Sequence, residues 1–235
     1  MADNYLMRCG DSRELIKNVG ANSIDLLLTD PPYNIAQYST GNIQAHWRKE
    51  VNNDLAEWDL ETLRPLEWVE EFARVTKPDA NVFIFTTYNM ISLWHDALHE
   101  HFDRVNFFIW HKTNPIPKFR KSGFLNSCEM VVCAWNKKHR WNFTTQNEMH
   151  NLINSPICMG KERLGHPTQK PIRVLSRLIE TGSNTGDIVL DPFAGVASVG
   201  AAALRLGRSY VGFEREEEYY NRAVERLENE QSGRG

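Results

Sequence analysis

The run Asp-Pro-Pro-Tyr at residues 30–33 directly follows a largely apolar stretch, Ile24 to Thr29, which predicts a buried strand. Prolines cannot donate to a strand ladder, so the strand must end before Pro31. The carboxylate of Asp30 and the ring of Tyr33 therefore follow a strand's carboxyl end, where open α/β sheets bind their ligands. A carboxylate, rigidly held carbonyls and a flat ring suit one task, which is gripping a planar group that carries an amino function.

A second motif follows another predicted strand, Asp187 to Leu190, and runs Asp-Pro-Phe-Ala-Gly at residues 191–195. A helix of small residues and a further strand come next, and Glu214 ends that strand where the ribose-binding acid of a nucleotide site would lie. The turn lacks the glycine spacing that seats a pyrophosphate, and the chain contains no GxxxxGKS or GxxxxGKT loop. A nucleoside cofactor without phosphates therefore fits better than NAD or ATP. A tight strand–helix turn without a ligand is the alternative.

The elements that position these motifs alternate between strands and helices, which predicts a Rossmann-like, doubly wound α/β fold with a mostly parallel sheet. A third motif, Gly-His-Pro-Thr-Gln-Lys-Pro at residues 165–171, predicts a rigid loop that leads into one of the helices. The stretch Glu129 to Trp135 follows the preceding strand without an intervening helix, so we expect it to pair antiparallel. The seven predicted strands begin at Tyr5, Ile24, Asn81, Val105, Glu129, Asp187 and Tyr210.

Length and composition predict a single domain over residues 1–235. The chain has no apolar run near the ~18 residues of a membrane span, and its N-terminus lacks the pattern of a secretory signal. Four cysteines lie scattered without a CxxC pair, which predicts free thiols in a reducing, cytoplasmic compartment. The eight histidines show no metal-ligand spacing, so we expect no metal site.

Basic residues concentrate in the middle of the chain, although the net charge is −3. Between Arg104 and Arg173 there are 12 Lys and Arg residues against three Glu, which predicts a surface for a polyanion. A solvated loop surface is the alternative for such a charge run. The candidate nucleic-acid-binding residues are Lys112, Lys118, Arg120, Lys121, Lys137, Lys138 and Arg140.

Taken together and in this order, the motifs at residues 30–33, 165–171 and 191–195 resemble the S-adenosylmethionine-dependent amino-methyltransferases of DNA. Their order is the permuted one of the β class, with the catalytic motif first, a target-recognition stretch next and the cofactor loop last. The resemblance covers most of the chain and implies a seven-stranded sheet with one reversed strand. It also implies S-adenosylmethionine as the cofactor, DNA as the partner, and a small target-recognition insertion at residues 112–163.

The resemblance implies that residues 30–33 surround a target base flipped out of the duplex. Acceptors at Asp30 and at the Pro31 carbonyl would hold its amino group, and Tyr33 would stack on its ring. Asp30 would also accept a proton. The implied catalytic residues are Asp30, Pro31, Pro32 and Tyr33.

The same resemblance implies a cofactor site built from all three motifs and from the end of the first strand. Glu214 would hold the ribose hydroxyls, Asp11 would accept from the adenine amino group, and Lys170 would meet the methionine carboxylate together with Thr168. The alternatives are a supporting loop role for His166 and a turn-capping role for Asp191. The full expected set is Asp11, His166, Thr168, Lys170, Asp191, Phe193, Gly195 and Glu214.

One position departs from the family pattern, in which the cofactor turn usually reads FxGSG or FxGTG. Here Gly195 is followed by Val196 and Ala197. An alanine in place of the second glycine should require a negative φ and add a Cβ near the ligand. We therefore expect a reshaped turn or a lower cofactor affinity, but not a loss of activity.

Aspartate as the first residue of the catalytic motif favours N6-adenine methylation of DNA, because serine is commoner there in the N4-cytosine enzymes. N4-cytosine methylation and RNA adenine methylation are alternatives with the same chemistry. A catalytically inactive nucleic-acid-binding relative is the alternative from another class. The short recognition region suggests a second protomer that helps hold the DNA, and the family often acts beside a restriction endonuclease with the same target site.

Overall fold

The structure of the protein is a computed structural model that describes residues 4–33, 63–117, 123–163 and 169–233. In these ranges the chain forms one sheet between two layers of helices. The strands are β1 Tyr5–Cys9, β2 Ile24–Thr29, β3 Thr76–Thr86, β4 Arg104–Lys112, β5 Cys128–Trp135, β6 Leu152–Ser155, β7 Ile188–Asp191 and β8 Ser209–Glu214. The helices are α1 Ser12–Leu15, α2 Leu66–Val75, α3 Ile91–His99, α4 Ile172–Gly182, α5 Ser198–Arg205 and α6 Glu217–Gln231, with short 3-10 turns at Ile16–Asn18 and Gly160–Glu162.

The sheet has the strand order β1-β8-β7-β2-β3-β5-β4-β6. Strand β5 runs antiparallel to both of its neighbours, and all other pairs are parallel. The doubly wound, mostly parallel fold with a reversed strand at Glu129 is thereby confirmed. The predicted count of seven strands is one too low, because β6 lies at the edge of the sheet beside β4. Four residues are too few to show a recognisable alternation in the sequence.

Strand β2 shows how the apolar pattern builds the centre of the fold. All six of its residues are buried, as expected for a strand covered on both faces. Leu26 and Leu28 pack with residues of α4, α5 and α6 on one face, whereas Ile24 and Leu27 pack with residues of α2 and α3 on the other. This double burial holds the carboxyl end of β2, and hence Asp30, in a fixed position.

Helix α5 packs closely on the sheet at Gly200, and most of its buried residues are small. A Cβ atom on Gly200 would lie 2.6 Å from the ring of Tyr210 in β8, so no larger residue fits there without a shift. This close packing fixes the first turn of α5 against β8. The glycine-containing turn between β7 and α5 is therefore held from both sides.

Two expectations from composition concern the described residues. No helix there is long and apolar enough to cross a membrane. The four cysteines are free thiols, as predicted, with Cys133 and Cys158 buried. Burial raises the pKa of Cys158 to about 11, which keeps this thiol protonated and unreactive near neutral pH.

Candidate active site

Five acidic residues lie along one edge of the sheet. Since the parallel strands all point the same way, their carboxyl ends share this edge, and the reversed β5 begins there. Asp11 follows β1, Glu214 ends β8, Asp191 ends β7, Asp30 follows β2, and Glu129 is the second residue of β5. The chain turns outward in opposite directions from β7 and β2, and ligands of open α/β sheets bind at such a switch point.

A cavity opens at this switch point, with an empty volume of about 1270 Å³ that includes its open mouth. It brings together every predicted catalytic and cofactor-binding residue that the structure describes. Those residues are Asp11, Asp30, Pro31, Pro32, Tyr33, Lys170, Asp191, Phe193, Gly195 and Glu214. The two remaining predicted residues, His166 and Thr168, lie outside the described ranges.

The β8 side of the cavity is built around the carboxylate of Glu214. One of its oxygens accepts the backbone N–H of Gly195 at 2.7 Å, and the other accepts that of Glu216 at 2.9 Å. Burial raises the pKa of Glu214, although these two hydrogen bonds oppose the shift. A carboxylate has about four lone-pair sites, so this one keeps acceptor capacity for hydroxyl groups of a ligand.

Aromatic and acidic groups make up most of the remaining wall on this side. The rings of Phe193 and Trp68 meet edge to face, with centroids 4.7 Å apart. Asp11 caps α1 by accepting the N–H of Arg13 at 2.8 Å. Asp11, Asp191 and Glu214 line the cavity together with Arg13, Lys170 and Arg215, so its charge is mixed. Its carboxylates can accept hydroxyl and amino donors of an adenosine and can face an attached sulfonium cation.

Asp191 is almost fully buried and holds the turn after β7. Its carboxylate accepts the hydroxyl of Thr29 at 2.6 Å and the N–H of Phe193 at 3.1 Å. Burial raises its pKa to about 7 despite both hydrogen bonds. The turn-capping alternative therefore describes the contacts of Asp191, and its bond to Thr29 ties the end of β7 to the end of β2.

The turn is left-handed at both Gly195 and Ala197, so the expectation of a negative φ at Ala197 was wrong. Ala197 has φ 52° and ψ 46°, close to the φ of 51° at Gly195. Its side chain is fully buried and does not line the cavity. A non-glycine residue in this conformation costs about 1–2 kcal/mol, so the alanine is expected to reduce stability rather than ligand binding.

Asp30 is the centre of a compact group of charges on the β2 side of the cavity. One of its oxygens accepts the ammonium of Lys170 at 2.5 Å, and the other accepts the hydroxyl of Tyr33 at 2.5 Å. Lys170 also pairs with Glu129 at 3.2 Å, and Glu129 pairs with Lys112 at 2.6 Å. The cluster thus holds two carboxylates and two ammonium groups.

Burial and charge act in opposite directions within this cluster. Burial raises the pKa of Asp30, the neighbouring Lys170 lowers it, and the charge of Glu129 raises it again. Burial disfavours the charged form of Lys170, but Asp30 and Glu129 outweigh this effect and raise its pKa. Burial likewise opposes ionisation of Glu129, but Lys170 and Lys112 together lower its pKa. Lys170 and Glu129 are therefore charged, while Asp30 is a stronger proton acceptor than an exposed aspartate.

Sequence reasoning missed Glu129 and Trp68 and assigned Lys170 and Lys112 to other partners. The ammonium of Lys170 contacts Asp30 and Glu129 here, and its contact with a cofactor carboxylate stays a prediction. A signal for Glu129 was present, because the predicted reversal of its strand brings its first residues to the edge that carries Asp30. Trp68 lies on α2 and showed only the helical spacing of a core residue.

The predicted nucleic-acid-binding residues fall into two separate places. Lys112 belongs to the Asp30 cluster, and the three residues Lys118, Arg120 and Lys121 lie outside the described ranges. Lys137, Lys138 and Arg140 follow the end of β5, so they lie at the opposite edge of the sheet from the cavity. This placement argues against their contacting the same DNA that reaches Asp30.

Arg140 in particular is occupied by ion pairs within the fold. Its guanidinium meets Asp79 at 2.7 Å, Asp187 at 2.9 Å and Asp25 at 3.0 Å. Asp25 and Asp187 lie at the amino ends of β2 and β7, and Asp79 lies in the first half of β3. The contacts of Arg140 therefore stabilise that edge, and we withdraw it as a nucleic-acid contact.

The fold is the Rossmann-like α/β fold of methyltransferases, and its cavity contains a carboxylate that can hold an amino group. The family model described as DNA methylase, of the N6/N4 methyltransferases, matches residues 24–225. The chain belongs to this family. The family inferred from the three motifs is thereby confirmed, and with it a DNA methyltransferase that uses S-adenosylmethionine.

Named relatives and a solved structure agree with this assignment. The chain is 32% identical to the Type II methyltransferase M.HinfI of Haemophilus influenzae, over 93% of this chain and 67% of that protein. It is 30% identical to the Type II methyltransferase M2.DpnII of Streptococcus pneumoniae, over 94% of this chain and 88% of that protein. The crystal structure of M1.HpyAVI in complex with S-adenosylmethionine superposes with a TM-score of 0.70 at 29% identity, covering 94% of this chain and 99% of that one.

Proposed function

We propose that the chain methylates the N6 amino group of an adenine flipped out of DNA, with S-adenosylmethionine as methyl donor. One observation carries the proposal. Asp30, an acceptor with enhanced basicity, shares a single cavity with Asp11, Phe193 and Glu214, whose acceptors and ring suit a nucleoside. The two reactants can therefore meet at the end of β2.

The amino nitrogen of adenine is a poor nucleophile because its lone pair is conjugated into the ring. Asp30 and the Pro31 carbonyl would accept its two N–H groups and favour a tetrahedral nitrogen whose lone pair points at the donor. Tyr33 and Lys170 occupy only part of the acceptor capacity of Asp30, which leaves room for a further hydrogen bond. The ring of Tyr33 would stack on the base, which offsets part of the cost of flipping.

S-adenosylmethionine supplies a methyl group made electrophilic by its sulfonium. The N6 lone pair forms the new N–C bond as the C–S bond breaks, and the electrons of the C–S bond remain on sulfur as a neutral thioether. The methylated nitrogen then carries a positive charge and loses one proton. Asp30, whose pKa is raised by burial, is placed to accept that proton.

The residue that leads the catalytic motif favours adenine over cytosine in this proposal. Asp30 occupies the position where serine is commoner among N4-cytosine enzymes, although both bases present a similar amino nitrogen. We further propose that segments of residues 112–163 outside β5 and β6 recognise the target sequence, that a second protomer helps to hold the DNA, and that a restriction endonuclease acts on the same site. Such a pair would work in the cytoplasm, as the cysteine pattern suggests.

The direct test is incubation of the chain with DNA and methyl-labelled S-adenosylmethionine, followed by mass spectrometry of the nucleosides. We expect labelled N6-methyladenine from DNA. Label in N4-methylcytosine, or in adenine from an RNA substrate, would replace the adenine–DNA assignment by one of the two alternatives. No label in any nucleic acid would favour the inactive relative.

The Asp30→Ala variant tests the mechanism within this function. Removing the carboxylate should lower the rate of methyl transfer by a thousandfold or more, on the order expected for a lost general base and a lost positioning contact. Calorimetry should show S-adenosylmethionine binding close to that of the wild type, because Glu214 and Phe193 lie on the other side of the cavity. Turnover within tenfold of the wild type would rule out the role of Asp30.

A further inference from the structure

Glu129 lies close to Asp30 although one strand, β3, separates β2 from β5 in the sheet order. Because β5 is reversed, its second residue reaches the carboxyl edge, where Lys170 bridges the two carboxylates at 2.5 Å to Asp30 and 3.2 Å to Glu129. Lys170 is 4% exposed, so water contributes little to balancing its charge. On its far side, Glu129 pairs with Lys112 at 2.6 Å.

We propose that Glu129 is a positioning residue for methyl transfer, which draws the Lys170 ammonium partly away from Asp30, while Lys112 fixes the Glu129 carboxylate from the other side. The proposal rests on the proposed function, since it concerns the same carboxylate, Asp30. It assigns Lys112 to the catalytic edge of the protein rather than to the DNA-binding surface.

The physical reason lies in how one ammonium is shared. A lysine ammonium has three N–H donors, and among the described residues Lys170 pairs with two carboxylates. If Glu129 were neutral, Lys170 would neutralise Asp30 alone and reduce its capacity to hold the amino group and to accept a proton. The shared arrangement keeps Lys170 in place while leaving Asp30 basic.

The charged groups that face the cluster from the described parts of the chain are consistent with this division. The groups that face Asp30 are Lys170, Tyr33, Glu129 and the neighbouring Asp191. The groups that face Glu129 are Lys170, Lys112 and Tyr33. The charge of Glu129 acts to raise the pKa of Asp30, against the lowering by Lys170. The hydroxyl of Tyr33 donates to Asp30 at 2.5 Å and lies 3.5 Å from Glu129, so the two carboxylates and the tyrosine share one hydrogen-bonded group.

The test is the pH dependence of single-turnover methyl transfer to DNA, with both substrates saturating, in the Glu129→Gln variant. The glutamine keeps the shape but removes the charge, so the plateau rate should fall on the order of tenfold to a hundredfold. The acid limb of the pH–rate profile, which reports ionisation of Asp30, should move to lower pH by roughly one unit because the negative charge of Glu129 is gone. S-adenosylmethionine affinity should stay within about threefold of the wild type.

Glu230→Gln is the matched control. Glu230 is another largely buried carboxylate in an ion pair, with Arg205 at 2.5 Å, but it lies on α6 away from the cavity. Its loss should leave the plateau rate and the acid limb unchanged. An equal change in both glutamine variants would overturn the proposal, because it would reflect a general loss of stability.

A second variant keeps the proposal testable if Glu129→Gln does not fold. In Lys112→Met, Glu129 loses one of its two cations and attracts the ammonium of Lys170 more strongly. The substitution also removes a positive charge near Asp30. The acid limb should therefore move to higher pH, opposite to the shift in Glu129→Gln. A wild-type rate and acid limb in Lys112→Met, or in a folded Glu129→Gln, would overturn the proposal. If the wild-type chain itself methylates no DNA, it is the proposed function that fails.

Discussion

Lys170 and Arg140 are both cations surrounded by carboxylates, at opposite edges of one sheet. Lys170, at the carboxyl edge, pairs with Asp30 and Glu129 and lines the cavity. Arg140, at the amino edge, is 30% exposed and does not line it. The partners of Arg140 are Asp25, Asp79 and Asp187.

The two clusters differ in what they do to their acids. Hydrogen bonds from Arg140 lower the pKa of Asp79, so this carboxylate stays ionised and is a weak proton acceptor. In the other cluster burial raises the pKa of Asp30 even though a lysine touches it. A cation among carboxylates is therefore not by itself a sign of function. The informative combination is a strand's carboxyl end, an adjoining cavity and an acid kept more basic than usual.

Of the substitutions that test this difference between the two edges, Lys170→Met should have the largest effect on the rate of methyl transfer. Asp30 and Glu129 would then face each other without a shared cation, and one of them would take up a proton. Methyl transfer should fall by on the order of a hundredfold to a thousandfold, with the acid limb displaced to higher pH. The pH profile of single-turnover methylation measures both.

The same variant separates two roles for Lys170. If its ammonium acts through Asp30 and Glu129, calorimetry will give an S-adenosylmethionine Kd near that of the wild type. If it instead binds the methionine carboxylate, as the family resemblance implies, the Kd will rise while the acid limb stays in place. The second result would contradict the arrangement on which the comparison with Arg140 depends.

Arg140→Met should show the opposite pattern, a loss of stability without a loss of catalysis. Three carboxylates would lose a shared cation, and Asp25 is 3% exposed, so the free energy of unfolding should fall by about 2–3 kcal/mol after allowance for the partial exposure of Arg140. Because the pKa of Asp79 is lowered from its ordinary 3.8, the part of this difference that comes from Asp79 should be complete above that pH and be lost as the pH falls through the lowered value. Urea unfolding across pH, beside the methylation rate of folded protein, measures both.

The control for Arg140→Met is Arg205→Met, which breaks the exposed side of the pair with Glu230 and leaves fewer buried carboxylates unpaired. It should cost less stability than Arg140→Met. A methylation rate in folded Arg140→Met more than about tenfold below the wild type would show that the amino edge is not merely structural.

The difference between the two edges explains what the sequence could predict. Asp30, Asp191 and Glu214 were found because each directly follows or ends an apolar strand, so chain position alone fixes where they lie. The proximity of Glu129 to Asp30 could not be found from chain position alone. Glu129 is distant in sequence, and its place beside Asp30 depends on strand order. The conformation of Ala197 was also beyond reach, because packing of α5 imposes a left-handed backbone that residue type disfavours.

The count of basic residues predicted a single nucleic-acid-binding surface, and it failed for a related reason. It treated the basic residues between Arg104 and Arg173 as one surface, whereas strand direction divides them. The reversed β5 carries the chain from Glu129 at the carboxyl edge to Arg140 beyond the amino edge. The predicted antiparallel pairing already implied this separation, but a count of charges along the chain does not contain it.

The smallest expected effect is on DNA affinity, measured after substitution of two lysine pairs of equal charge. Lys118 and Lys121 come between β4 and β5 in the sequence and lie outside the described residues, whereas Lys137 and Lys138 follow the amino-edge end of β5. Changing the first pair to glutamine should weaken DNA binding about tenfold and lower the salt dependence by roughly 1–2 in log–log slope, for one or two lost phosphate contacts. Changing the second pair should leave both unchanged. Fluorescence anisotropy over a salt series measures them, and equal effects would mean that DNA wraps past both edges, which would remove the functional distinction between them.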